Sequence, residues 1–161
     1  MYDRFGEMSS YIELNEIAQH LKEENDTEGL LILARENGIS EDYADLFAED
    51  IIPYFCDVQI AALGKLNIES NDLKIKGLMK DWVKYIRDMA MKEIDVTLNV
   101  RRADKSLKGC FAFLLKYSLA NQTEVDEEIL KAAKIRAKVT FGVPGQAKTK
   151  ALIRKYYSNN E

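Results

Sequence analysis

The chain of 161 residues has the length of one ordinary domain, and 47% apolar with 31% charged residues is typical of a folded globular protein. Eight Gly and two Pro are few for an all-β fold, which needs many tight turns. The longest stretch without a charged side chain, residues 139–147, is too short to span a membrane, and we expect no secretory leader.

The two halves of the sequence carry opposite charge. Residues 1–72, the acidic half, hold 17 acidic and 4 basic side chains, a net charge of −13. Residues 73–161, the basic half, hold 10 acidic and 19 basic side chains, a net charge of +9, so the chain sums to −4. Either the halves neutralise each other as solvated faces, or they offer a basic face to phosphates and an acidic face to a basic partner. We predict one compact unit with an acidic N-terminal lobe and a basic C-terminal lobe.

Four helices are predicted in the acidic half. Each starts after a side chain that can accept a hydrogen bond from the first turn; these N-caps are Ser10, Asp26 or Thr27, Ser40 and Asp57. Asn37 and Gly38 end the second helix in a C-cap pattern, and Pro53 separates the third helix from the fourth, over residues 58–66. The third helix is short and strongly acidic. Its carboxylates form the predicted partner-binding face: Glu41, Asp42, Asp45, Glu49 and Asp50.

The basic half opens with the clearest helix, over residues 75–92, in which apolar side chains around Trp82 recur every three or four residues. Its opposite side carries a basic stripe: Lys76, Lys80, Lys84 and Arg87. Further helices are predicted over residues 96–102, 107–119 and 127–134, and after Gly145 as far as Tyr157, with a short extended piece at 137–141. The predicted fold class is therefore all-α, a compact bundle of about seven to eight helices.

Catalytic patterns are weak, and we predict that the protein is not an enzyme and needs no cofactor. His20 follows Glu16 by four residues but has no Ser or Cys partner in view. The acidic third helix lacks the ligand spacing and central glycine of a calcium loop, so a small hydrolase built around it is the least favoured alternative. One His and two distant Cys do not form a familiar zinc site, and Cys56 and Cys110 among apolar neighbours indicate a reduced, cytoplasmic protein.

Residues 143–151 resemble the hairpin of helix-hairpin-helix modules, which hold the DNA backbone. Gly145 and Ala151 match that pattern, whereas Ala147 stands where the second glycine belongs. A glycine turn that opens a helix points free backbone N–H groups at an anion. The same helix adds the basic side chains Lys148, Lys150, Arg154 and Lys155. The alternative is a plain loop that leads into a solvated basic helix.

A second basic segment connects two predicted helices at residues 101–108. Exposed cations there, together with the N-terminus of the next helix, would bind phosphate; the alternative is an ordinary connector. Its basic residues are Arg101, Arg102, Lys105 and Lys108. With the stripe on the 75–92 helix and the C-terminal helix, they form the predicted DNA-binding surface.

Several strings of the sequence resemble a group of small helical proteins from mobile elements and phages of Firmicutes. They are Phe-Gly-Glu at 5–7, Ala-Leu-Gly-Lys-Leu at 62–66, Asp-Trp-Val-Lys-Tyr-Ile at 81–86, Lys-Ser-Leu-Lys-Gly-Cys at 105–110, Val-Asp at 125–126 leading to Ile-Leu-Lys-Ala-Ala at 129–133, and Val-Thr-Phe-Gly-Val-Pro-Gly at 139–145. The Lys-Ser-Leu-Lys-Gly-Cys string followed by Val-Asp-Glu-Glu is also similar to PcfK-like proteins of conjugative elements.

Members of that group include anti-CRISPR proteins, so the resemblance implies a non-enzymatic inhibitor that binds a type II RNA-guided DNA nuclease in a bacterial host cell. Such a nuclease holds its guide–target heteroduplex in a positively charged channel. The acidic helix would occupy that surface as a nucleic-acid mimic, or the basic half would hold duplex DNA while another surface engages the nuclease. The alternative function is a DNA-binding accessory protein of a conjugative or phage element.

Overall fold

Helices form most of the chain in the computed structural model, which describes residues 3–158. Within these residues there are nine helices and two short strands, in the order α1 (Tyr11–Glu23), α2 (Thr27–Glu36), α3 (Glu41–Ala48), α4 (Val58–Asp72), α5 (Leu78–Lys92), α6 (Ile94–Val100), α7 (Leu107–Ala120), β1 (Thr123–Glu124), α8 (Glu127–Ala132), β2 (Thr140–Phe141) and α9 (Gln146–Ser158). The predicted all-α fold is confirmed, with slightly more helices than the seven to eight expected.

Local capping explains where most of these helices begin. In six of them a side-chain oxygen just before the helix accepts a hydrogen bond from a backbone N–H of the first turn; the capping residues are Ser10, Asp26, Ser40, Asp57, Ser106 and Asp126. The cap of α2 is therefore Asp26 and not Thr27. α5 begins at Leu78, later than predicted, because Gly77 before it has a positive φ of 54° that helical residues do not adopt. α4 continues to Asp72, beyond its predicted end at residue 66.

Two apolar clusters lie on either side of α4. The first is built mainly from α1, α2 and α3 and includes Ala61 of α4. The second is built from α5, α6, α7 and α9 and includes Ala62 and Leu66 of α4. Because neighbouring residues of α4 enter different clusters, this helix is buried on two sides and joins the two halves of the chain.

Glycines let α4 approach the turn between α2 and α3. A Cβ on Gly64 would clash with the carbonyl oxygen of Asn37, and a Cβ on Gly38 would clash with the carbonyl oxygen of Gly64. Gly38 also has a positive φ of 70°, as the C-cap pattern predicts. Any side chain at these positions would push the two backbones apart.

An arm, which we define as residues 121–145, contributes no residue to either apolar cluster. β1 pairs antiparallel with β2, with Thr123 opposite Phe141 and Glu124 opposite Thr140, and α8 lies between the two strands in sequence. No residue of α8 is buried. Of the predicted extended piece at 137–141, only residues 140 and 141 form a strand. Within residues 3–158, no helix combines the length and apolar character needed to cross a bilayer.

Candidate functional site

The acidic face predicted from the sequence is exposed. Ala44 and Phe47 of α3 pack inward, which turns the carboxylates of this segment towards solvent. We call the following residues the acidic face: Glu41, Asp42, Asp45, Glu49 and Asp50. Two of them are paired, since Arg35 lies 2.9 Å from Glu41 and Lys22 lies 2.5 Å from Asp50. The other three form no ion pair with any residue in the range 3–158, so their charge is available to a partner.

Most ion pairs lie within one half of the chain. Among residues 3–158, Arg4 pairs with Asp26 in the acidic half and Arg154 pairs with Glu93 in the basic half. Arg101 departs from this separation, because its charge is buried against carbonyl groups of the acidic half. The exposed carboxylates of α3 and the exposed lysines of α5 therefore form separate charged surfaces.

Helices α5 and α9 pack against each other and carry most of the predicted DNA-binding residues. On α5 and the turn before it, Lys76, Lys80 and Lys84 are exposed, whereas Arg87 is half-buried and donates to Oδ1 of Asn67 at 2.5 Å. On α9 the exposed predicted cations are Lys148, Arg154 and Lys155. The basic face is the name we give to these exposed cations together: Lys76, Lys80, Lys84, Lys148, Arg154 and Lys155.

Contacts within the structure hold three cations of α9 in place, namely Lys148, Lys150 and Arg154. The guanidinium of Arg154 donates two hydrogen bonds to Glu93, at 2.8 and 2.9 Å, and these bonds lower the pKa of that carboxyl. Nζ of Lys150 lies 5.2 Å from the ring centroid of Tyr85, and Nζ of Lys148 lies 5.4 Å from that of Tyr117. The Glu93 carboxylate partly neutralises the charge of Arg154, so the lysines carry most of the remaining positive charge of α9.

The prediction that Arg101 binds DNA is wrong, because this side chain is 3% exposed. Its Nε donates to the carbonyl oxygen of Met8 at 2.9 Å, and its Nη1 donates to that of Ala61 at 2.7 Å. Its Nη2 donates to Oδ1 of Asn37 at 2.5 Å. The guanidinium thus satisfies buried carbonyl groups of three separate segments in the acidic half, and its role is structural.

The rest of the 101–108 connector is also less accessible than predicted. Lys105 is 7% exposed, lies 3.5 Å from Asp104 and stacks over Tyr156 at 5.0 Å, so it is not an exposed phosphate ligand. Arg102 is half-buried and lies 2.9 Å from Asp104. Lys108 is exposed, as predicted. The connector is short, and the helices on either side of it, α6 and α7, both pack in the second apolar cluster. Its side chains therefore lie close to that cluster.

The helix-hairpin-helix interpretation of the C-terminal segment is also wrong. Residues 133–145 separate α8 from α9 and contain β2, so no short hairpin joins two helices. Gly145 does not have a positive φ, and a Cβ there would meet nothing within 4 Å. Its carbonyl oxygen accepts the first helical hydrogen bond, from the N–H of Thr149 at 2.9 Å, which makes Gly145 the N-cap of α9. The segment is the loop that leads into a basic helix.

Sequence reasoning missed the role of Lys65, which is 3% exposed. Its Nζ donates to the carbonyl oxygens of Arg102 and Lys105, at 3.1 and 2.8 Å, and lies 2.9 Å from Glu7. It therefore anchors the connector of the basic half to α4. The sequence feature that could have indicated a buried lysine is its position as the one charged residue of the apolar string at 62–66.

Both cysteines are buried, whereas the one histidine of the sequence is exposed. Burial raises the pKa of both Cys56 and Cys110 to about 12, so neither thiol forms a nucleophilic thiolate near neutral pH. Among residues 3–158, no group of three or more His, Cys, Asp or Glu is arranged to hold a metal ion. His20 is exposed at the edge of a groove beside α1.

Comparison with protein-family models, with curated proteins and with solved structures finds no match.

Proposed function

We propose that this protein inhibits a type II RNA-guided DNA nuclease by binding it directly through the acidic face. The observation that carries the proposal is the exposure of five carboxylates on and just after α3, three of which lack an ion pair among the described residues. A nuclease that holds nucleic acid in a positively charged channel offers a complementary surface. The protein needs no catalytic group for this function.

The density of negative charge supports mimicry of nucleic acid. Five exposed carboxylates lie within the ten residues 41–50, and three of them lack an ion pair among the described residues. A positively charged channel that accepts a phosphate backbone also attracts such a face.

The basic face supports a second candidate, binding of duplex DNA. Exposed lysines on two packed helices provide a cationic surface, and the arrangement gives no evident base-reading helix. Used together with the acidic face, it would hold DNA beside the nuclease. Used alone, it would make the protein a DNA-binding accessory protein of a conjugative or phage element.

Charge reversal on the acidic face tests the proposal. The variant with Asp42→Lys, Asp45→Lys and Glu49→Lys should lose binding to the guide-loaded nuclease and lose inhibition of DNA cleavage, while its helical circular dichroism is unchanged. The matched control changes the net charge equally on exposed positions of the basic half: Asp81→Lys, Asp88→Lys and Asp95→Lys. It should inhibit as the wild type does. Equal inhibition by both folded variants would refute binding through the acidic face.

A gel shift with mixed-sequence duplex DNA separates the two candidates. Binding without the nuclease that weakens steeply with salt supports the basic face, because phosphate contacts release counterions. Absence of nuclease inhibition together with such DNA binding would favour the accessory protein. Absence of DNA binding at low salt would remove the basic face as a DNA-binding surface.

A further inference from the structure

A groove of about 810 Å³ lies between α1 and residues 53–58, which follow α3 and include the first residue of α4. Most of its lining is apolar and comes from Tyr11, Ile12, Phe47, Pro53, Tyr54 and Val58. Ile12 is 55% exposed and Tyr54 is 71% exposed, although both side chains are large and apolar or aromatic. A cluster of such side chains around a concave surface is typical of a protein-binding site.

Hydrogen bonds to one side chain hold the groove in shape. Oδ1 of Asn15 accepts the N–H groups of Phe55 and Cys56, at 2.8 and 3.2 Å. Nδ2 of Asn15 donates to the carbonyl oxygens of Tyr11 and Cys56, both at 2.8 Å. The full hydrogen-bonding capacity of this amide thus fixes residues 55 and 56 against α1, so this wall of the groove is ordered before a partner binds.

The surroundings of the groove are acidic. Exposed carboxylates of Glu16 and Asp57 are part of its lining, and Phe47 connects it with the acidic face. The nearby cation Lys22 is already engaged, since its Nζ donates to the carbonyl oxygen of Phe47 at 2.7 Å and lies 2.5 Å from Asp50. His20 also lines the groove, but the carboxylates outnumber it and disfavour a negatively charged occupant such as a nucleic-acid backbone.

We propose that this groove binds an amphipathic helix of a partner protein, with apolar side chains on one face and Lys or Arg beside them. The apolar face enters between Ile12 and Tyr54, and the cations meet the carboxylates at the rim. The inference goes beyond the proposed function, because it names a binding chemistry that does not require the nuclease. Either one can fail while the other holds.

Two model peptides test the proposal. One is an 18-residue helix of leucine and lysine with its leucines on one face, and the other replaces each leucine with glutamine at the same net charge. Fluorescence anisotropy of labelled peptides should show about tenfold tighter binding of the leucine peptide to the wild-type protein. Equal affinity for both peptides would overturn the proposal, because charge alone would then explain binding.

Two protein variants locate the site. Ile12→Glu with Tyr54→Glu should weaken binding of the leucine peptide about tenfold, although it adds negative charge that would strengthen a purely electrostatic contact. The matched control is Leu115→Glu with Leu119→Glu on α7, whose side chains are 55% and 67% exposed. It should bind within about twofold of the wild type. Thermal unfolding checks that both variants are folded.

Unchanged binding in the groove variant, or an equal loss in the α7 variant, would overturn the assignment. Self-association of the wild-type protein in analytical ultracentrifugation that Ile12→Glu abolishes would also overturn it, because the occupant would then be a second copy of this chain. A monomeric protein that binds the leucine peptide through Ile12 and Tyr54 would support it.

Discussion

Replacing the buried Arg101 with methionine should destabilise the whole fold. The guanidinium is 3% exposed and bridges the N-terminal segment at Met8, the turn at Asn37 and helix α4 at Ala61. Arg101→Met keeps much of the apolar length of the side chain but removes every donor. The buried acceptors then lose a partner that water cannot easily replace.

The expected loss is about 3–5 kcal/mol. Three of its hydrogen bonds are 2.9 Å or shorter, and a hydrogen bond to a charged group contributes about 1.5–3 kcal/mol. Removing the cation also removes the cost of its desolvation, which is several kcal/mol, so the sum of the bonds overstates the loss. The acceptors left behind are neutral, and a buried acceptor that loses its donor costs about 1–3 kcal/mol, so about 3–5 kcal/mol is the appropriate scale for the three together after that offset. For a chain of this length it corresponds to a fall in Tm of roughly 6–20 °C.

Urea unfolding followed by circular dichroism measures this loss. Lys108→Met is the matched control, since this cation lies on the same chain segment but is exposed, and the control should stay within about 0.5 kcal/mol of the wild type. A loss below about 1 kcal/mol for Arg101→Met would refute the reasoning. An Arg101→Met variant of normal stability that has lost DNA binding would also refute it, because the guanidinium would then have to reach solvent to contact the DNA.

Two further predictions test the core and the arm. Burial raises the pKa of Cys56 and Cys110 to about 12, so at pH 8 these thiols should be ionised roughly a thousandfold less often in the folded protein than ordinary thiols are. Iodoacetamide should therefore label the protein only after urea is added, and fast labelling of the folded protein would contradict this. Gly142→Ser should lower the free energy of unfolding by about 1–3 kcal/mol, because a Cβ there clashes with the carbonyl oxygen of Ser118. Gly145→Ser should be neutral or slightly stabilising, since its Cβ meets nothing and serine is a favoured N-cap; equal effects in urea unfolding would contradict the packing of the arm.

Part of the candidate site followed from periodicity alone. The spacing of acidic residues in α3 and of lysines in α5 places each set opposite the apolar side of its helix, so exposure of Asp42, Asp45, Lys80 and Lys84 was predictable. The 101–108 connector has no such periodicity. There, a cluster of cations indicated a surface, whereas the structure buries Arg101. The groove beside α1 was not predictable either, because it forms where segments distant in sequence meet.

The sequence by itself determined where six of the described helices begin, because a cap such as Ser10, Asp57 or Ser106 acts on backbone groups at most three residues away. Only the tertiary structure decided whether the charged side chains between helices are buried or exposed. Arg101 is buried by carbonyl groups that lie 40 to 93 residues away in the chain, and no local pattern encodes the position of those acceptors. A cation leaves water only where distant backbone groups replace its hydration, so packing decides whether it binds a partner or holds the fold together.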